Sequence, residues 1–195
     1  MIKDGGIMTN RYVEEANQLF DQAIYIATEK INIFEKTLWY RQLNYSEQMM
    51  SRQIILYFSE YMFDYHFQTL NEWDEVALQD VLLDIFPHKI VAGPKFFEKA
   101  INVLKKFFEF LYYHEEVKQG VKLSNKATEI GDIVLVEVEA ILRDTTEQDL
   151  LSLGEELGLD ISSLDDIDCL YRLAEKVQKS ETKTQHIVPI KTQEI

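Results

Sequence analysis

From Val13 to Ile141 apolar side chains recur every third or fourth position, the spacing of one face of a helix. Thr9 or Asn10 can cap a first long helix, whose stripe runs Val13, Ala16, Phe20, Ala23, Ala27, Ile31, Phe34 and Leu38. Asn44-Tyr45-Ser46 interrupts it, and Ser46 can cap the next helix. That helix places Met50, Ile54, Phe58, Tyr61 and Tyr65 on one side. The stretch from Thr69 to Asp74 is a boundary, with Asn71 and Asp74 as cap candidates. A short third helix carries Leu78, Val81, Leu82 and Ile85, and the pattern predicts a stop at Phe86 because Pro87 disfavours helical geometry in the residue before it.

Gly93-Pro94 marks a turn, with Pro94 suited to the first position of a fourth helix. Its broad apolar face is Phe97, Ala100, Ile101, Leu104, Phe107, Phe108 and Leu111, ending near Gly120. Ser124 can cap a fifth helix that uses Ile130, Val134, Val138 and Ile141. Ile133 to Val138 is β-branched and partly alternating, which would also suit a strand, but the helical context decides for helix. Two short acidic helices follow, over 147–157 and 164–178, with Gly158 suited to a left-handed helix end. Ser163 with Asp166 approximates a capping box, and Ile167, Leu170, Ala174 and Val177 fall in register behind it.

The fold class expected is therefore all-α: an aromatic-rich helical bundle of about seven helices. It divides into a disordered start or extension over 1–8, a bundle core over 9–120, an acidic helical appendage over 121–179 and a disordered tail over 180–195. Met8 is a plausible true initiator.

Composition agrees with long uninterrupted elements, since 7 glycines and 3 prolines are few for a chain of 195 residues. No run of apolar residues is long enough to span a membrane, and the first ten residues lack the apolar core of a secretory signal. A single cysteine, Cys169, rules out an internal disulfide framework, so the cytoplasm is the expected compartment. The net charge of −14 is uneven: residues 1–120 hold 12 basic against 18 acidic side chains, and residues 121–180 hold 6 against 14. Such a chain repels nucleic acid at long range, so phosphate binding would need a local basic patch that overcomes the overall field.

The order of elements between Phe34 and Tyr113 resembles a known bundle. A helix with Phe34 and Leu38, the Asn44-Tyr45-Ser46 break, a helix ending in Tyr57-Phe58 and Tyr61, a short helix from Val76 to Phe86, and the run from Leu104 to Leu111 look similar to the helical, SAM-like core-binding domain of tyrosine recombinases. The resemblance implies a four-helix core that clamps DNA beside a catalytic domain. It covers about 80 residues and rests on pattern. The chain departs from that family in the part that does chemistry: Arg143 and Arg172 are the only arginines after residue 120, where an arginine-rich pocket would be required, so recombinase activity is not expected. The aromatic helix and the late Gly158-Leu159-Asp160 turn also resemble uncharacterised bacterial helical proteins linked to SEC-C zinc modules. One cysteine cannot supply such a zinc site.

No motif for catalysis or metal binding emerges. A di-iron bundle needs an acidic residue three positions before each ligating histidine, and Phe63, Ile85, Leu111 and Lys183 occupy those positions for His66, His88, His114 and His186. Asp165, Asp166 and Asp168 lack the glycine and terminal glutamate of a calcium loop, and they disfavour a thiolate at Cys169, read here as a part-buried small helix residue. No glycine spacing matches a phosphate cradle, and no serine sits in a nucleophile elbow. No cofactor is implied.

Two surfaces are candidate contacts. Lys95, Lys99 and Lys106 fall with Asn102 on a polar stripe of the fourth helix, preceded by His88 and Lys89, and could touch phosphates or be a solvated face that the acidic helices after Thr145 cover. Tyr57, Tyr61, Tyr65, Tyr112 and Tyr113 form a tyrosine-rich edge suited to an interface, or to a core with its hydroxyls at the rim. The reading favoured by these residues is a non-enzymatic cytoplasmic protein–protein interaction module, with an unknown protein partner or self-association. The alternative is a DNA-binding or DNA-associated module that uses the basic stripe, against which the net charge argues.

Overall fold

The structure is a computed structural model that describes residues 5–90, 92–114, 116–143 and 146–172, with side chains from residue 14 to 141 and from 150 to 172. It is all-α, and no strand occurs among the described residues. The helices are α1 (Gly5–Phe34), α2 (Leu38–Arg41), α3 (Tyr45–His66), α4 (Glu75–Asp80), α5 (Phe86–Lys89), α6 (Pro94–Tyr113), α7 (Gly120–Arg143), α8 (Thr146–Glu156) and α9 (164–172). Ile133 to Val138, the segment with strand character, lies inside α7. The positions expected to form a frayed tail, together with Ala174 and Val177, lie outside the described residues.

Local chemistry sets the boundaries. Asn44, not Ser46, caps α3: its side chain accepts from the Glu47 N–H at 3.0 Å, while Glu47 Oε2 accepts from the Asn44 N–H at 2.8 Å. Asn44 is the cap because Glu47 stands three residues on and can return the hydrogen bond, whereas Met49 holds that place after Ser46. Asp74 caps α4, accepting from the N–H groups of Val76 and Ala77 at 2.9 Å each. The Ala77 hydrogen bond, aided by the Gln68 amide and the Val76 N–H, holds the Asp74 carboxyl below the usual carboxylate range.

Pro87 does not end the third helical segment. A π-helical turn, Val81–Ile85, links α4 to α5, and the Phe86 N–H reaches back to the Val81 carbonyl. The wider turn makes room for the proline ring at the start of α5, so the chain keeps its direction through a residue that would block an ordinary helix interior. The first helix is shorter than its stripe suggests. It ends at Phe34, and Leu38 opens α2 with 69% of its surface exposed. At the other end it begins by Gly5, so Thr9 and Asn10 lie within it and residues 5–8 are helical.

At the centre is α6, which buries ten residues, including Phe96, Phe97, Phe107, Phe108 and Phe110. Aromatic contacts tie it to its neighbours. Phe34 of α1 meets Phe107 at 5.4 Å, Phe58 of α3 meets Phe108 at 5.6 Å, and Trp73 meets Phe108 at 6.1 Å, all edge to face. Such pairs contribute roughly 0.5–1.5 kcal/mol each beyond the area they bury. On α3 the buried face is Ile54, Ile55, Phe58, Met62 and Phe63, rotated from the expected one so that Tyr57 and Tyr61 stand at its rim and Tyr65 is exposed.

The packing does not break at residue 120. Leu123, Ala127, Ile130, Val134 and Val138 of α7, Leu151 of α8, and Ile167 and Leu170 of α9 belong to one continuous core with Phe58 and Phe107. Helices α6 and α7 form the most extensive pairing in the molecule. Gly120 permits it, because a Cβ there would fall 2.4 Å from the Phe108 carbonyl oxygen and 2.8 Å from Tyr112 Cβ. Ser124 is not the cap of this helix but a buried residue within it.

Candidate binding groove

Helices α3 and α9, far apart in the chain, form facing walls of a groove of about 630 Å³. Gln53, Tyr57 and Tyr61 line it from α3, and Asp165, Asp168 and Tyr171 from α9, with Lys89 and Ile90 at the end of α5. The groove brings together two of the candidate interface tyrosines and one candidate cation. The spacing of Tyr57 and Tyr61, one turn apart, puts both rings on one helix face. The rings are nearly parallel, 16° apart with centroids at 6.3 Å, and Tyr65 continues the row at 6.2 Å from Tyr61.

These rings are held in place. Phe86 packs edge to face on Tyr61 at 5.4 Å, and Gln53 donates to the Tyr57 hydroxyl at 3.3 Å. Burial, followed by the neighbouring Tyr57 and Glu60, pushes the Tyr61 phenol above its ordinary value. Glu60 is itself raised, by burial and then by the negative charge of Asp64.

Tyr112 and Tyr113 lie elsewhere. Tyr113 packs on Trp39 at 5.3 Å and lines a second groove, of about 440 Å³, with Leu38, Trp39, Gln42, Glu109, Val121, Ser124 and Asn125. Tyr112 stands beside Tyr113 at 5.6 Å. The five tyrosines thus fall on two separate surfaces.

The basic stripe meets its own chain's acidic groups. Lys99 Nζ donates to the Ser162 hydroxyl, which donates in turn to Asp160. Hydrogen bonds from Ser162 first, then the nearby charges of Lys99 and Lys95, hold the Asp160 carboxyl below the usual range. Lys106 pairs with Glu109 at 3.0 Å, and Asn102 donates to Glu47 at 3.1 Å. His88 Nδ1 lies 2.7 Å from the Asp84 carbonyl oxygen and 3.4 Å from its carboxylate. Lys89 and Lys95 are exposed and make no ion pair among the described residues. The turn between α8 and α9 therefore meets the stripe at Lys99. Its conformation depends on Gly158, which takes the left-handed φ of 77° expected for it. Asp166 does not close a box with Ser163; its carboxylate accepts from the Asp160 N–H at 2.8 Å instead.

Cys169 is exposed rather than part-buried, because α9 turns Ile167 and Leu170 toward the core. Among the described residues no three His, Cys, Asp or Glu side chains converge as metal ligands, and no helix is long and apolar enough to cross a membrane. The groove residues that sequence reasoning passed over are Gln53, Asp165, Asp168 and Tyr171 as partners of the tyrosines. Asp165, Asp168 and Tyr171 do share a helix-face spacing, but nothing local in the chain pairs α9 with α3. Comparison with protein-family models, with curated proteins and with solved structures finds no match to this chain.

Proposed function

We propose that this chain is a non-enzymatic cytoplasmic interaction module, which docks another protein in the groove between α3 and α9. One observation carries the reading: a preformed wall of part-exposed tyrosines, fixed by Phe86 and Gln53, faces a mixed wall of Leu164, Asp165, Ile167, Asp168 and Tyr171 across an open groove. Tyrosine suits such a surface because a rigid ring offers a large contact area and its hydroxyl a hydrogen bond, at little cost in side-chain entropy. The nucleic-acid alternative draws less support, since Lys99 and Lys106 already serve the chain's own Ser162 and Glu109.

The test is photo-cross-linking in the cytoplasm of the source cell. A photoreactive residue at Tyr61 is expected to give one discrete protein adduct, and the same residue at Val136, exposed on α7, none. Equal adducts at both positions, or none at Tyr61, would remove the reading. Salt-sensitive binding of duplex DNA that disappears with Lys89→Glu and Lys95→Glu would install the alternative in its place.

A further inference from the structure

On its α9 wall the groove presents a carboxylate that no cation pairs with among the described residues. Asp165 is exposed on α9 and forms no ion pair among the described residues, while Asp168 is engaged by Arg172. On α3 beside Tyr61, outside the groove's lining, stand Glu60 and Asp64, neither of which is paired with a cation among the described residues. Burial, and then the charge of Asp64, raises Glu60, and burial first, with these charges behind it, raises the Tyr61 phenol. Lys89, at the Ile90 end, is the one cation lining the groove among the described residues. Lining the same groove as Asp165 are the Tyr57 and Tyr61 rings, whose π faces carry partial negative charge of their own.

From this geometry we infer that the docked segment is basic. An arginine or lysine side chain of the partner lies along the Tyr57–Tyr61 row, with its charge toward Asp165 and away from Lys89. This deepens the interaction-module reading and rests on it. A guanidinium suits the site better than an ammonium, because its flat, weakly hydrated plane can stack on a ring while its edges donate to carboxylates. The ring positions are set before the guest arrives, so little side-chain freedom is lost on binding.

Fluorescence anisotropy on the full chain tests this with three labelled peptides of equal length, built from glycine and serine with arginine, glutamine or glutamate at alternate positions. The arginine peptide is expected to bind at least about 10-fold tighter than the glutamine peptide, and the glutamate peptide not at all. Asp165→Asn and Tyr61→Ala should each weaken it several-fold. Asp132→Asn, which removes the same charge from an exposed site on α7, should not. Asp165 is exposed, so its variant keeps the test sharp even if Tyr61→Ala, which loses the Phe86 contact, folds poorly. An equal loss from Asp132→Asn would show diffuse attraction to an acidic protein and overturn the inference. So would equal binding of the glutamine peptide, or no binding by any peptide. In that last case a surviving adduct at Tyr61 would leave the docking reading intact and remove only the basic chemistry, whereas loss of both would remove the docking reading itself.

Discussion

Glu47 Oε1 accepts a hydrogen bond from Asn102 Nδ2 at 3.1 Å, joining the first turn of α3 to the middle of α6. The other oxygen of the same carboxylate closes the capping box on the Asn44 N–H, and the residue is 7% exposed. One side chain thus ends a helix and fixes how it sits on the central one. Truncating it removes both functions. Glu47→Ala is expected to cost about 2–3 kcal/mol, the sum of a lost cap and a buried hydrogen bond to a charged group. Asn102→Ala should cost about 1–2 kcal/mol by leaving a buried carboxylate oxygen without its donor. Because the two act on one bond, urea melts of the double variant should show less than the sum, by about 1 kcal/mol. Full additivity would mean that the contact contributes nothing.

Phe67 ends α3 in the left-handed region, at φ 54°, with 74% of its surface exposed. Its N–H bonds the Phe63 carbonyl and the next N–H bonds that of Met62, an arrangement in which glycine is the usual residue. Among the described aromatic side chains its ring touches only Phe63, at 6.2 Å. Phe67→Gly should therefore be more stable than Phe67→Ala by about 1 kcal/mol, since both lose the ring and only glycine escapes the backbone strain. Thermal unfolding of the pair measures it, and an alanine variant that matched the glycine one would contradict the strain.

Gly120 and Gly131 both lie in α7, yet substitution by alanine should move stability in opposite directions. At Gly120 the added methyl collides with the backbone of α6, 2.4 Å from the Phe108 carbonyl oxygen, and about 2–3 kcal/mol of destabilisation is expected. At Gly131 the nearest atom is Ile101 Cδ1 at 3.5 Å, ordinary contact. There the gain in helix propensity should add about 0.5–1 kcal/mol. Denaturant midpoints for the two variants, read against the wild type, decide it.

The carboxylates divide by sign. Asp74 and Asp160 have folded-state pKa values below their ordinary ones, so they contribute stability above the ordinary carboxylate range that is lost as pH falls through the lowered values. Glu60 is raised, so its ionisation opposes folding at neutral pH, and that cost disappears as acid protonates it. Asp74→Asn should flatten the loss of stability below about pH 4 while keeping part of the cap. Glu60→Gln should raise the melting temperature at pH 7 and leave it unchanged in acid. Melting curves from acid to neutral pH for these two variants carry the test.

Much of the helix inventory is legible along the chain because amphipathic spacing is a local property. The apolar face of α6, the Leu78–Ile85 row and the left-handed Gly158 all follow from a few neighbouring residues. Caps are less legible, since Asn44 and Ser46 lie two residues apart and both are good N-caps; only the reach of Glu47 separates them. The passage through Pro87 is hidden for a related reason. A π turn needs burial of Val81, Leu82 and Ile85 on the core to hold it, and that burial comes from other helices.

What the amino-acid order determined alone was the class of the fold, the central aromatic helix and the acidic balance, all of which depend on spacing and count. Tertiary structure decided what each polar residue faces. Lysines that share a stripe with open water in the linear pattern meet Ser162 and Glu109, Asn102 meets Glu47, and Tyr57 and Tyr61 find Asp165 across a groove. The physical reason is range: a helix face is set within two turns of chain, whereas a charge or a ring acquires its neighbours only when distant segments pack to exclude water.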